Sequence, residues 1–234
     1  MAHIREINKI QKILEKNKSV QENKTYKFDT NQKLKLEDIN CDLKIIIKEN
    51  IKVEITQIIE EKNSINSLNI ILEKNSTLIL KQLIKATRYY KINTEVNENA
   101  QFEQKLIYLI DNQETFIESK AILKEKESRA KMTIKGVAQN GARVVCDGII
   151  NIGKKANKAQ GSQEIRGLLM DSISNIQNEP ILEINNNEVI CSHSASIAQV
   201  KDDIKFYMQS RGLNKQEIKT IIIEGLLGEI IADE

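Results

Sequence analysis

LKIIIKENIKVEITQII, residues 43–59, carries the pattern on which the fold depends. Leu43, Ile45 and Ile47 fall at every second position, the polar run Lys48-Glu49-Asn50 interrupts them, and Val53 and Ile55 resume the same period. A period of two puts these side chains on one face of a pleated strand, so the segment reads as strand, short polar turn, strand.

The pattern extends through residues 26–184. Leu68, Ile70 and Leu72 repeat it, as do Leu78 and Leu80, then Leu106, Tyr108 and Ile110, and later Val144, Cys146, Ile150 and Ile152. The separators, such as Glu73-Lys74-Asn75-Ser76 and Asn97-Glu98-Asn99-Ala100, are too short to hold a helix. Strand therefore follows strand. A sandwich, an up-and-down barrel and a solenoid can each hold such a series. Hairpin-built sandwiches and barrels call for primed-turn dipeptides and aromatic corners. Asn140-Gly141 is the one Asn-Gly, Trp is absent and aromatic residues make up 4% of the chain. A solenoid needs neither feature, because each coil buries aliphatic side chains and pairs its backbone with the coils on either side. The periodicity thus favours a β-helix, although no strict repeat stands out.

Bulk properties narrow the function. In 234 residues there is room for one continuous core. The 35 basic residues nearly balance the 33 acidic ones and are interspersed with Ile and Leu, which leaves no concentrated basic face for nucleic acid or an anionic membrane. No apolar run reaches membrane-span length, and the opening MAHIREINKI lacks the apolar centre of a signal peptide, so the cytoplasm is the expected compartment. Cys41, Cys146 and Cys191 are odd in number, far apart and without a CxxC, which suits a reducing compartment and argues against a disulfide framework or structural zinc site. Carboxylates sit in Lys-rich separators rather than as an isolated pair, and GLLGE near the end lacks the Lys-Ser/Thr of a phosphate loop.

The ends depart from the strand pattern. Ile4, Ile7, Ile10 and Leu14 share one side of an expected helix within residues 1–20, a cap for one raw end of the solenoid. His3 lies in its first turn and is assigned no role. At the other end PILEINNNEVICSHSASIAQVKDDIKFYMQSRG, residues 180–212, contains the one internal histidine, a cysteine and the one proline. In a strand Cys191 and His193 fall on the same face, two residues apart, whereas Ser192 points away and makes no triad with His193. Asp202 is placed to cap a helix carrying Ile204, Tyr207 and Met208, with Gly212 as its stop. Asn214 and Glu217 form a capping-box pattern ahead of Ile218, Ile221, Ile222, Leu226 and Ile230, a stripe widened by Ile223 and Leu227. That width fits a helix buried on more than one side or one that docks a second protein.

These blocks resemble the shared core of SufB and SufD, the paired scaffold subunits of SUF iron–sulfur cluster assembly. The likeness rests on Asp147-Gly148-Ile149-Ile150-Asn151-Ile152, on Gln163, Arg166, Leu168 and Leu169, on Pro180, Leu182, Glu183 and Ile184, on Cys191-Ser192-His193, and on Phe206-Tyr207 and Ser210-Arg211-Gly212. It spans residues 130–232 and is one of texture before that. It implies a right-handed parallel β-helix, mainly β, with a short N-terminal helix and a C-terminal helical region. The corresponding divisions are 1–20, 21–196 and 197–234.

The resemblance also implies a function without catalysis. The chain would pair with a SufB-like subunit, dock a SufC-like ATPase through residues 206–231 and help form a transient iron–sulfur cluster at the subunit interface. His193 then becomes a cluster ligand, and Cys191 is either a second ligand or a small buried hydrophobe. Phe206, Tyr207, Arg211, Ile222 and Leu226 become partner-binding residues, while Cys41 and Cys146 read as packing residues. A lone histidine is more commonly a hydrogen-bonded structural residue, so the ligand role comes from the resemblance alone. Residues 171–174 lack the thiol of SufB-like chains, and His193 stands where those chains carry a glutamate; both features are SufD-like. Ser194 replaces the usual glycine after the histidine, and the chain is much shorter than a usual SufD. The alternative expectation is a homodimeric β-solenoid interaction protein of the same fold that binds no cluster.

Overall fold

The computed structural model describes residues 24–36 and 42–231, with backbone alone at 24 and at 227–231. The expected helix within residues 1–20, His3 and Cys41 lie outside the described residues. Fourteen strands among those described form two seven-stranded sheets. One holds β1 (Lys24–Phe28), β3 (Asp42–Ile47), β5 (Ile65–Leu72), β7 (Tyr89–Val96), β9 (Glu114–Leu123), β11 (Arg143–Ile152) and β13 (Asn175–Ile184) in that spatial order. The other holds β2 (Gln32–Leu36), β4 (Lys52–Ile59), β6 (Thr77–Ile84), β8 (Gln101–Asp111), β10 (Arg129–Gln139), β12 (Gln160–Leu169) and β14 (Ile190–Gln199).

Each strand pairs in parallel with the strand two further along the chain, never with its immediate successor. This is a flattened parallel β-helix, each coil contributing one strand to each sheet. The alternation read from the sequence now has its cause. Ile47, Leu72, Val96, Leu123 and Ile152 align across five coils, every one at 0% exposure, as one inward column. Columns of aliphatic side chains at strand spacing exclude water from both neighbours in the stack, and each fully buried Leu or Ile contributes about 1.5–3 kcal/mol.

The corners repeat as well. Asn50, Asn75 and Asn99 occupy the left-handed region, with φ of 64°, 58° and 52°, where asparagine is tolerated far better than β-branched residues. Their amides stack: Asn75 Nδ2 donates to Asn50 Oδ1 and Asn99 Nδ2 to Asn75 Oδ1, both at 2.9 Å. Each of these residues also donates its backbone N–H to the next coil, Asn50 to Lys74 O at 3.1 Å and Asn75 to Glu98 O at 3.0 Å. The polar separators are therefore one turn repeated.

Polar groups inside the stack are tied to one another. Gln82 donates to Gln57 Oε1 at 2.9 Å, Gln104 to Gln82 Oε1 at 2.9 Å, Ser119 to Gln104 Oε1 at 2.6 Å and Tyr90 to Gln57 Oε1 at 2.7 Å. Burial pushes the Tyr90 phenol far above its ordinary pKa, so it stays a neutral donor. Linking the amides offsets part of the desolvation cost that each would carry alone, although Gln57 Nε2 finds no partner among the described residues.

Helices α1 (Asp202–Ser210) and α2 (Lys215–Ile231) follow β14. The cap of α1 differs from expectation. Asp202 is the first helical residue, the extended Lys201 precedes it, and no side chain caps the helix. Gly212 does stop it, at φ +93°. The capping box of α2 forms as read: Asn214 Oδ1 accepts from the N–H groups of Gln216 and Glu217 at 2.9 and 3.0 Å, and Glu217 Oε2 accepts from Asn214 N–H at 2.7 Å. Helix α2 lies over the outer face of the even-numbered sheet at β10. Ile218 is buried, and so are Ile107, Val137 and Lys135 on that face of the sheet; the Lys135 ammonium reaches Leu226 O at 3.4 Å.

Candidate functional site

The coils end at β13 and β14, and among the described residues no strand covers either of them. The direction of their free backbone groups follows from parity. Ile190 N–H donates to Ala159 O and Val200 N–H to Leu169 O, so even-numbered residues of β14 face β12. Odd-numbered residues, including Cys191 and His193, therefore turn their backbone groups to the open edge. In β13, Asn175 N–H donates to Ala142 O and Asn185 N–H to Ile152 O, which sends the even-numbered residues, Pro180 among them, to the open edge. Pro180 has no N–H, so it breaks the donor row of β13 at mid-strand. The β14 edge keeps its donors.

Cys191 and His193 sit on the inward side of this last strand. Cys191 continues the column Val53, Leu78, Phe102, Ala130 and Gly161; His193 continues Leu80, Gln104, Met132 and Gln163. From β4 to β12 every residue in these two columns is buried. Here Cys191 is half-buried and His193 exposed, because among the described residues no further coil covers them. Their backbone positions lie about 6.6 Å apart along the strand. Burial pushes the Cys191 thiol above its ordinary pKa, and a hydrogen bond from the Gly161 N–H offsets part of this. It is a thiol at neutral pH and must lose its proton to bind a metal.

Two amides bracket the lumen just beneath. Gln163 Nε2 donates across it to Ile181 O at 3.0 Å, and Asn178 Nδ2 donates the opposite way to Ser196 O at 3.4 Å. Gly148 has no side chain where the Gln163 carbonyl lies; a Cβ there would stand 2.7 Å from Oε1. Gln163 entered the sequence reading only as part of a block, and Asn178 not at all. The signal for both was a polar residue at an inward position of an otherwise apolar period.

Exposed apolar side chains gather at this end. Ile190 is 72% exposed, Ile184 47% and Ile197 45%, and on α1 Phe206 is 71% and Tyr207 58% exposed. The Arg211 guanidinium lies 5.3 Å from the centroid of the Tyr207 ring. Ile222 and Leu226 on α2 are half-buried, so part of each is committed to the chain's own packing. The structure thus unites Cys191 with His193 on one strand, Phe206 and Tyr207 on α1 with Arg211 at its C-cap, and carries Ile222 and Leu226 on α2. Cys146 is fully buried, and burial pushes its thiol strongly up, in keeping with packing. Among the described residues no group of three or more His, Cys, Asp or Glu side chains could hold a metal ion, and no helix is long and apolar enough to cross a membrane.

A parallel β-helix ending in a Cys-Ser-His strand and a two-helix tail fits one known family, and its sequence profile, described as the SufBD core domain of SUF system FeS cluster assembly, matches residues 10–226. The chain belongs to the SufBD family. The iron–sulfur cluster assembly protein SufD of Escherichia coli K12 is 33% identical over 96 residues, which is 41% of this chain and 23% of that protein. Iron–sulfur cluster assembly SufBD family proteins of Staphylococcus aureus strains USA300 and NCTC 8325 are each 28% identical over 109 residues, 47% of this chain and 23% of theirs. The matched segment is thus less than a quarter of each relative's length. The SufBD family is one of SUF-system iron–sulfur cluster assembly.

Proposed function

We propose that this chain is a non-catalytic, SufD-like scaffold subunit that offers His193, with Cys191 beside it, to a nascent iron–sulfur cluster at an interface with a SufB-like subunit. The observation that carries the reading is the placement of a thiol and an imidazole at inward positions of β14, the C-terminal edge strand of the even-numbered sheet. Thiolate and neutral imidazole both bind iron, and imidazole ligation of iron–sulfur centres is established chemistry. Two donors do not complete the coordination of an iron, so the remaining ligands come from sulfide and from the partner that covers the β14 edge. The exposed Ile190 and Ile197 supply the apolar contact such a partner buries, and the open β14 donors suit pairing with a partner strand. The cluster is cargo, formed and passed on, in the cytoplasm where thiols stay reduced. A SufC-like ATPase docks on the helical tail, where Phe206, Tyr207 and Arg211 present an aromatic and cationic surface of the type enriched at interfaces, and the exposed parts of Ile222 and Leu226 on α2 add to its contacts.

The test is His193→Ala in a strain that depends on this SUF system. Cluster enzymes should lose activity while the variant folds and co-purifies with its partners. If the complex is intact and assembly is undiminished, the ligand role is wrong. Anaerobic reconstitution of the complex with iron and sulfide separates this reading from a cluster-free homodimeric solenoid, which would give no His193-dependent absorption.

A further inference from the structure

We infer that Lys205 is a positioning residue that fixes the helical tail to the strands carrying the His193 site, so that a force on the tail is transmitted to that site. The inference deepens the proposed function and rests on its assignment of the tail to a partner. Helix α1 has no buried residue, so apolar packing does not set its orientation. Two attachments do. The first is its joint with β14: Val200 is buried, its N–H donates to Leu169 O at 2.9 Å, and Lys201 alone separates it from the first helical residue. The second is the Lys205 ammonium, which donates to Met170 O at 2.7 Å and to Asp202 Oδ1 at 3.2 Å.

Met170 directly follows β12, and its own N–H donates to Ala138 O at the end of β10 at 3.0 Å. One side chain thereby joins α1 to the ends of β10 and β12, beside the end of β14. Held only at its two ends the middle of the helix can lift away from the strands; the Lys205 bond ties that middle to them, so the tail moves with them as a lever. From Val200 to His193 runs roughly 23 Å of extended strand, stiff on this scale and paired to β12 throughout. The charge-assisted bond to a carbonyl needs a donor that reaches Met170 O, so arginine can replace lysine there and methionine cannot.

Hydrogen–deuterium exchange of the intact chain reads the clamp directly. In Lys205→Met, amides of residues 202–210 should exchange at least tenfold faster while β12 and β14 exchange as in wild type. Lys205→Arg should restore protection, and Lys201→Met, which removes an exposed neighbouring charge, should leave it unchanged. Wild-type exchange of α1 in Lys205→Met, or an equal rise in Lys201→Met, overturns the clamp. For the coupling, Lys205→Met co-expressed with the partner subunits of its own SUF system should still capture the ATPase yet assemble clusters at least fivefold more slowly. Undiminished assembly beside faster α1 exchange overturns the coupling and leaves the His193 reading standing, since that reading has its own variant.

Discussion

Replacing Gly136 with alanine should unfold more of this protein than any other single methyl group added to it. Gly136 lies on β10 in register with Tyr108 of β8, and the phenol ring occupies the space where a side chain would stand. A Cβ there would lie 2.0, 2.1 and 2.2 Å from Tyr108 Cε2, Cζ and Cδ2. Carbon atoms rest at about 3.5–4.0 Å, so the ring must retreat by about 1.5 Å. It has nowhere to go, since Tyr108 is fully buried within the stack and the inward neighbours Ile84, Ile110 and Cys146 are buried too. Overpacking of this kind costs about 1–3 kcal/mol and more where relaxation is blocked, so Gly136→Ala should lose about 3 kcal/mol. Urea unfolding should register the loss as a midpoint lower by about 1–3 M at the usual denaturant dependence. The paired variant Gly136→Ala/Tyr108→Leu should recover much of it, because the smaller side chain frees the space. An alanine variant within about 0.5 kcal/mol of wild type would refute the claim that stacked coils at this level are packed to contact.

Three further outcomes test other parts of the structure. Asn75→Ala should cost about 1–2 kcal/mol by thermal or urea unfolding, because alanine resists φ of 58° and breaks the amide ladder on both sides; Asn75→Gly, free of the first penalty, should cost less. Partial burial raises the Asp171 carboxyl, but hydrogen bonds from Ser174, Asn140 and Ile173 outweigh it and hold the group below its ordinary pKa. A depressed folded pKa adds stability above the ordinary carboxylate range that is lost as pH falls through and below it, so Asp171→Asn should flatten the acid limb of a stability–pH curve while lowering stability at pH 7. In a Cys41→Ser background, a thiol reagent should label Cys191 slowly in the native chain, faster as pH rises, and should reach Cys146 only on unfolding, since Cys146 is fully buried.

The strands were legible because inward and outward positions alternate strictly, and Leu43, Ile45, Ile47 or Leu68, Ile70, Leu72 announce that alternation without help. The coil period was present but obscured. Asn50, Asn75 and Asn99 recur at intervals of 25 and 24 residues, yet they stand in separators whose other residues vary, and later coils lengthen as their strands grow from 8 residues to 10 or 11. The same corner position is then held by Glu127 and Lys158, also at positive φ, which no residue preference suggests. At the candidate site the sequence pointed to His193 and Cys191 as one face of a strand. That the strand is the last of its sheet, which turns an inward histidine into an accessible one, was beyond its reach. The helical tail reads similarly: Ile204, Tyr207 and Met208 recur at helical spacing, but whether that spacing marks burial or exposure depends on what lies opposite, and nothing among the described residues buries them.

Local chemistry determined which residues form strands, where the chain turns, where α1 stops and how α2 begins, because each of these depends on neighbours within four or five positions. Pairing between residues 19–32 positions apart decided the rest. It set which polar side chains meet inside the stack, why Gly136 and Gly148 must lack side chains, and which strand is left uncovered. Those outcomes belong to the third dimension because a side chain's environment is fixed by the coils on either side of it, and His193 has a coil on one side only.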